Sequence, residues 1–233
     1  MISSLLTDLY QLTMAFGYWK LGIHNRDAVF HLIFRKQPFD GEYSIACGLA
    51  TVVEFLQNWH FAEDDLAYLR TLKAQNGHEL FSEEFLDYLR NLRFTCDVDA
   101  IPEGTPVFPH EPLLRITGPI LQCQLLESTL LNIINFQTLV ATKASRVCRA
   151  AKGDAVLEFG LRRAQGPDGA LSASRAAYIG GCTATSNVLA GKKFGIPISG
   201  THSHSKIWSL ANSTENSNIS SPPRNYNLWS LIC

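Results

Sequence analysis

The sequence has almost no net charge, no long apolar run and no paired-cysteine motif, and each absence narrows what the protein can be. Lys and Arg number 20 against 21 Asp and Glu, a formal charge of −1. The two signs are interspersed, so there is no basic footprint for nucleic acid or anionic lipid. No uninterrupted apolar stretch approaches the length of a membrane span. The first residues lack a basic segment and carry Asp8, so a signal peptide is not expected. Six cysteines, Cys47, Cys96, Cys123, Cys148, Cys182 and Cys233, are scattered without CxxC spacing. That pattern favours reduced thiols in a cytosolic protein over a zinc ribbon or a disulfide frame. The sequons at Asn212 and Asn218 are then chance matches.

What is present is a chain of 233 residues, 46% hydrophobic, enough to bury the core of one or two domains. In "TDLYQLTMAFGYWKLG", Thr7 or Asp8 suits a helix N-cap. Leu9, Leu12, Phe16 and Trp19 recur at helical spacing as a core stripe, with Tyr10 and Met14 off it. An off-stripe tyrosine ordinarily keeps its hydroxyl in water. "DAVFHLIFRKQPF" alternates like a strand, and three amphipathic helices follow, the last two with acidic first turns, the sign that the helix dipole favours. From Phe94 the period becomes two, through Cys96, Val98 and Ala100, with a turn at Glu103–Pro106. Helices with a small antiparallel sheet imply an α+β first domain over residues 1–118. Residues 120–152 then read as a long helical region, broken near Asn135 and buried on several sides.

After Lys152 strands alternate with helices: "AVLEFG", "GALSASRAAYIGG", "CTATSN", "NVLAGKKFG", "IPIS". This order implies parallel pairing, and in a parallel α/β barrel the C-terminal strand ends carry the chemistry. The first end delivers Arg162 and Arg163. The second delivers Thr183, Thr185, Ser186 and Asn187. The third delivers Thr201, His202 and His204. Guanidinium groups, hydroxyls and helix N-termini on one rim suit a carboxylate or a phosphate. His202 and His204 stand two apart, so a strand would point them the same way. A metal would need further ligands, and none is visible at that rim. A hydrogen-bonded loop pair, or one histidine acting beside phosphate, stay open on spacing alone.

The stretches "TDLYQLTM", "FRKQPF", "EFGLRRAQGPDG" and "GGCTATSNVLAGKKFGIPISGTHSHS" resemble the nicotinate phosphoribosyltransferases, from about Thr7 to Ser205. The resemblance implies a fold of the type II phosphoribosyltransferases: an N-terminal α/β sandwich domain followed by an α/β barrel that starts within residues 119–205. It implies the formation of nicotinate mononucleotide and diphosphate from nicotinate and 5-phosphoribosyl-1-diphosphate, in NAD biosynthesis. ATP hydrolysis would be coupled through a transient phosphohistidine, and Mg²⁺ would accompany the phosphates. His204 matches that histidine, while His202 occupies a position where the family varies. Tyr10 matches the aromatic stacked on nicotinate, Arg162 the arginine near its carboxylate, and Thr201 a pocket residue. A flat pyridine suits a stacking partner and its carboxylate a guanidinium fork. A homodimer with sites near the interface is implied, with no nucleic acid and no membrane partner.

From Lys206 the family pattern is expected to stop. Residues 206–233 hold six Ser and five Asn and read as poorly packed. About three barrel strands would then be present where a barrel takes eight. The expectation is an incomplete barrel, and with it an alternative function: an inactive fragment that acts, if at all, by pairing with an intact protomer.

Overall fold

The structure, a computed structural model, describes residues 2–201 and 229–231. It divides into two units, Met1–Thr138 and Leu139–Cys233, built of mixed helix and strand.

The first unit is organised around a three-stranded antiparallel sheet. Strand β1 (Asp27–Ile33) and strand β3 (Asp97–Ala100) flank β5 (Pro112–Pro119), with Phe30 and Val98 both opposite Ile116. A short pair, β2 (Ser44–Ile45) with β4 (Pro106–Val107), lies apart from it. The sheet thus draws its edge strand β1 from the chain that follows the first helix and precedes the other three. Pairing on the other side begins only at Asp97, and Cys96 is buried just ahead of it.

The helices of this unit are α1 (Leu9–Lys20), α2 (Leu49–Gln57), α3 (Glu63–Thr71) and α4 (Glu83–Asn91). The Ser82 side chain caps α4, and Phe85, Leu86 and Leu89 fill the core beneath it. The acidic first turns do more than face the helix dipole. Glu83 at the start of α4 holds Arg70 of α3 at 2.6 Å, and Glu63 at the start of α3 holds Arg90 of α4 at 2.7 Å. In α1 the expected stripe is rotated. Leu9 is 55% exposed and Gln11 is fully buried with Leu12 and Ala15. Gln11 can be buried because its amide is hydrogen-bonded at both ends, to the Tyr10 and Ser128 hydroxyls and to Gln124.

Helix α5 (Ile120–Ala150) runs unbroken through Asn135, contrary to the expected break. No Pro or Gly interrupts it, and the Asn135 side chain faces outward. Residues 121–126 are buried without exception, the polar Gln122 and Gln124 included.

The second unit has a parallel sheet ordered β7–β6–β8: β6 (Val156–Glu158) between β7 (Ala184–Thr185) and β8 (Trp229–Leu231). Two findings depart from the sequence reading here. The "IPIS" stretch forms a single parallel bridge, Ile198 to Thr185, in place of a strand. Trp229–Leu231, within the stretch that composition marks as unpacked, pair along the full length of β6. Helices α6 (Gly166–Ile179) and α7 (Val188–Phe194) connect the strands. The small residues of α6 serve close packing, as expected: Ala170, Ala173, Ala176 and Ala177 are buried. A Cβ on Gly180 would collide with the carbonyl oxygen of Ala141 in α5. Among the described residues, no helix is long and apolar enough to cross a membrane.

Candidate active site

The described strands of the second unit are parallel, so their C-terminal ends fall on one edge of the sheet. Past β6 the chain passes through Gly160 into a single helical turn, Leu161–Arg163, that carries both arginines exposed at the surface. Past the Ile198 bridge it reaches Gly200 and Thr201, also exposed. Arg162 and Thr201 therefore leave the sheet at the same edge, two strand positions apart.

The hydroxyls expected at this rim are mostly committed to the protein. Thr183 Oγ1 donates to the Val156 carbonyl at 3.2 Å. Thr185 Oγ1 donates to Glu158 Oε2 at 2.6 Å and accepts from the Asn187 backbone N–H at 3.0 Å. The Asn187 side chain caps α7 by accepting from Ala190 N–H at 3.2 Å, while its amide donates to Ser174 Oγ at 3.1 Å. Thr185 and Asn187 are thus buried framework and not part of the rim. Glu158 itself is 1% exposed and escaped the sequence reading. Its signal was a single carboxylate inside the apolar strand "AVLEFG".

Tyr10 lies in the first unit, on the second residue of α1, with 49% of its surface exposed. Its hydroxyl is not simply in water. It accepts from Gln11 Nε2 at 2.7 Å and donates to Glu127 Oε1 at 3.3 Å. Asp8, next to it, accepts from Ser128 Oγ at 2.6 Å in place of capping α1. Desolvation first, then the Glu127 carboxylate, hold the Tyr10 phenol above its ordinary pKa. The hydroxyl is anchored and the ring is left open. His202 and His204 lie outside the described residues.

The profile of the nicotinate phosphoribosyltransferase (NAPRTase) N-terminal domain matches residues 5–135, more than half of the chain. The chain belongs to this family. Nicotinate phosphoribosyltransferase 2 of Arabidopsis thaliana is 51% identical over 217 residues, which cover 92% of this chain and 38% of the relative. The nicotinate phosphoribosyltransferase of Dictyostelium discoideum is 46% identical over 233 residues, 99% of this chain and 39% of the relative. The crystal structure of human nicotinic acid phosphoribosyltransferase superposes with a TM-score of 0.80 at 41% identity, covering 93% of this chain and 43% of that one. The chain thus spans about two fifths of the length of the NAPRTase relatives it matches. The share of this chain that the alignments cover runs from 88% for the nicotinate phosphoribosyltransferase of Bacillus subtilis to the 99% of the Dictyostelium relative.

Proposed function

We propose that the protein acts as a nicotinate phosphoribosyltransferase in NAD biosynthesis, in the cytosol. Nicotinate's ring nitrogen attacks the anomeric carbon of 5-phosphoribosyl-1-diphosphate. The new C–N bond gives nicotinate mononucleotide, and the bond to the diphosphate oxygen breaks as diphosphate leaves. The observation that carries this reading is the exposed arginine turn at the C-terminal edge of β6, in a chain of this family. Such an edge is where parallel α/β sheets hold their ligands.

In this proposal the Tyr10 ring stacks on the pyridine, Arg162 holds its carboxylate, and Thr201 lines the same pocket. A guanidinium presents paired donors in the plane that a carboxylate accepts. His204 takes the phosphoryl group from ATP and passes it on to water, coupling ATP hydrolysis to the transfer. The fold reading that accompanies it is an N-terminal α/β sandwich and an incomplete α/β barrel to which β6 and β7 belong, assembled as a homodimer. Mg²⁺ enters with the substrate phosphates. The described residues contain no cluster of three or more His, Cys, Asp or Glu side chains able to hold it. The test is diphosphate release from the purified chain supplied with nicotinate, 5-phosphoribosyl-1-diphosphate and ATP. Release that requires nicotinate supports the proposal, and a soluble, monodisperse chain without nicotinate-dependent release overturns it.

A further inference from the structure

Glu158 is buried at the end of the central strand β6, and among the described residues it has no ion-pair partner. A buried carboxylate is costly unless its oxygens are hydrogen-bonded, and here both are. The Gly160 backbone N–H donates to Oε1 and the Thr185 hydroxyl donates to Oε2 at 2.6 Å. The direction of the second bond is fixed from behind. Thr185 Oγ1 accepts the Asn187 N–H at 3.0 Å, which leaves its own proton for Glu158. A donor thus reaches each of the two carboxyl oxygens. Its backbone is tied as well, since the Glu158 carbonyl accepts from Ser186 N–H at 3.0 Å.

The consequence lies one step along the chain. Gly160, held by the carboxylate, accepts the Arg163 N–H at 2.9 Å and so opens the turn that carries Arg162. The Glu158 carboxylate thereby joins the arginine turn to the end of the neighbouring strand β7. We propose that Glu158 is a positioning residue, fixing the Gly160–Arg163 turn against Thr185 so that the Arg162 guanidinium is presented to nicotinate's carboxylate. This rests on the role proposed for Arg162 above.

Glu158→Gln keeps the size and removes the symmetry. Its amide either meets the Gly160 N–H donor to donor or leaves the Thr185 hydroxyl without an acceptor. The test titrates nicotinate and nicotinamide into the full chain and into its Glu158→Gln, Thr185→Val, Thr185→Ser and Arg162→Ala variants. Amide hydrogen exchange over residues 159–165 is followed in the same proteins. Glu158→Gln and Thr185→Val are expected to weaken nicotinate about tenfold and to leave nicotinamide within about twofold. Exchange should quicken in the turn, and Thr185→Ser should restore both readouts. Parental nicotinate affinity in Glu158→Gln, with affinity lost in Arg162→Ala, overturns the positioning role alone. Exchange quickened throughout the second unit, and not selectively in the turn, assigns Glu158 to general stability and overturns it too. Unchanged nicotinate affinity in Arg162→Ala overturns the Arg162 assignment itself, and with it this use of the turn.

Discussion

The Tyr10 hydroxyl stands 3.3 Å from the Glu127 carboxylate, a partner 117 residues along the chain. Desolvation and this carboxylate both favour the neutral phenol, so the Tyr10 pKa is raised. Ultraviolet titration should therefore show two tyrosines ionising above the ordinary range, Tyr88, raised by burial, and Tyr10. Glu127→Gln should bring Tyr10 partway down, leaving the desolvation part. The sign for stability follows. A raised phenol pKa contributes stability that is fully present below the unfolded value and is lost as pH rises through the folded one. A Tyr10 titration that ignores Glu127→Gln would remove the carboxylate as a cause.

Glu83 shows the opposite sign. Its hydrogen bond from Arg70 holds the carboxyl below the usual carboxylate range. Its contribution is present above the unfolded pKa and is lost as pH falls through the lower folded one. The pair is solvent-exposed and screened by salt, so Arg70→Ala should lower the melting temperature slightly at neutral pH and low salt. The difference from the parent should vanish in acid below both pKa values. A difference that persists there would mean the arginine acts by packing its stem.

Two glycines should respond to alanine in opposite directions. A Cβ on Gly118, in β5, would come within 2.7 Å of Cys96 Sγ and 3.0 Å of its Cα. Gly118→Ala is expected to cost about 1–3 kcal/mol in urea unfolding, as overpacking does. Gly17, inside α1, has nothing within 4 Å of the same added atom. Gly17→Ala should stabilise by up to about 1 kcal/mol through helix propensity. Equal effects at the two positions would contradict the close approach of Cys96 to β5.

Arg162→Ala should weaken nicotinate more than nicotinamide, because only nicotinate carries a carboxylate. Losing a charge-assisted hydrogen bond corresponds to roughly 1.5–3 kcal/mol. Competition binding with both ligands measures the difference directly. An equal loss for the two would take Arg162 out of the carboxylate role.

His204, and not His202, should carry the phosphoryl group after brief exposure to γ-labelled ATP. The expectation comes from its position at the end of "GTHSHS". Peptide mapping under alkaline conditions, which preserve phosphohistidine, should find the label lost in His204→Ala and kept in His202→Ala. The reverse pattern exchanges the two assignments.

The sequence by itself determined the elements with a strong period and the family with its motifs. Strand β1, helices α2 to α4 and the alternation from β6 to α7 were legible because each is short-range: apolar spacing, caps and turn residues act within a few positions. Arg162 was legible for the same reason, as a charged residue directly after a buried strand. Only the tertiary structure decided the rest. Leu9 faces outward and Gln11 inward because partners on α5, more than a hundred residues away, satisfy the Gln11 amide. Trp229–Leu231 became a strand because β6 offered an unpaired edge that no local pattern announces. Thr185 belongs to the buried framework and not to the rim because the Glu158 carboxylate is stable in the interior only with donors on its oxygens, one from Gly160 beside it and one from Thr185 on the neighbouring strand. Short-range chemistry writes itself into adjacent residues, whereas the satisfaction of buried polar groups depends on which segments meet.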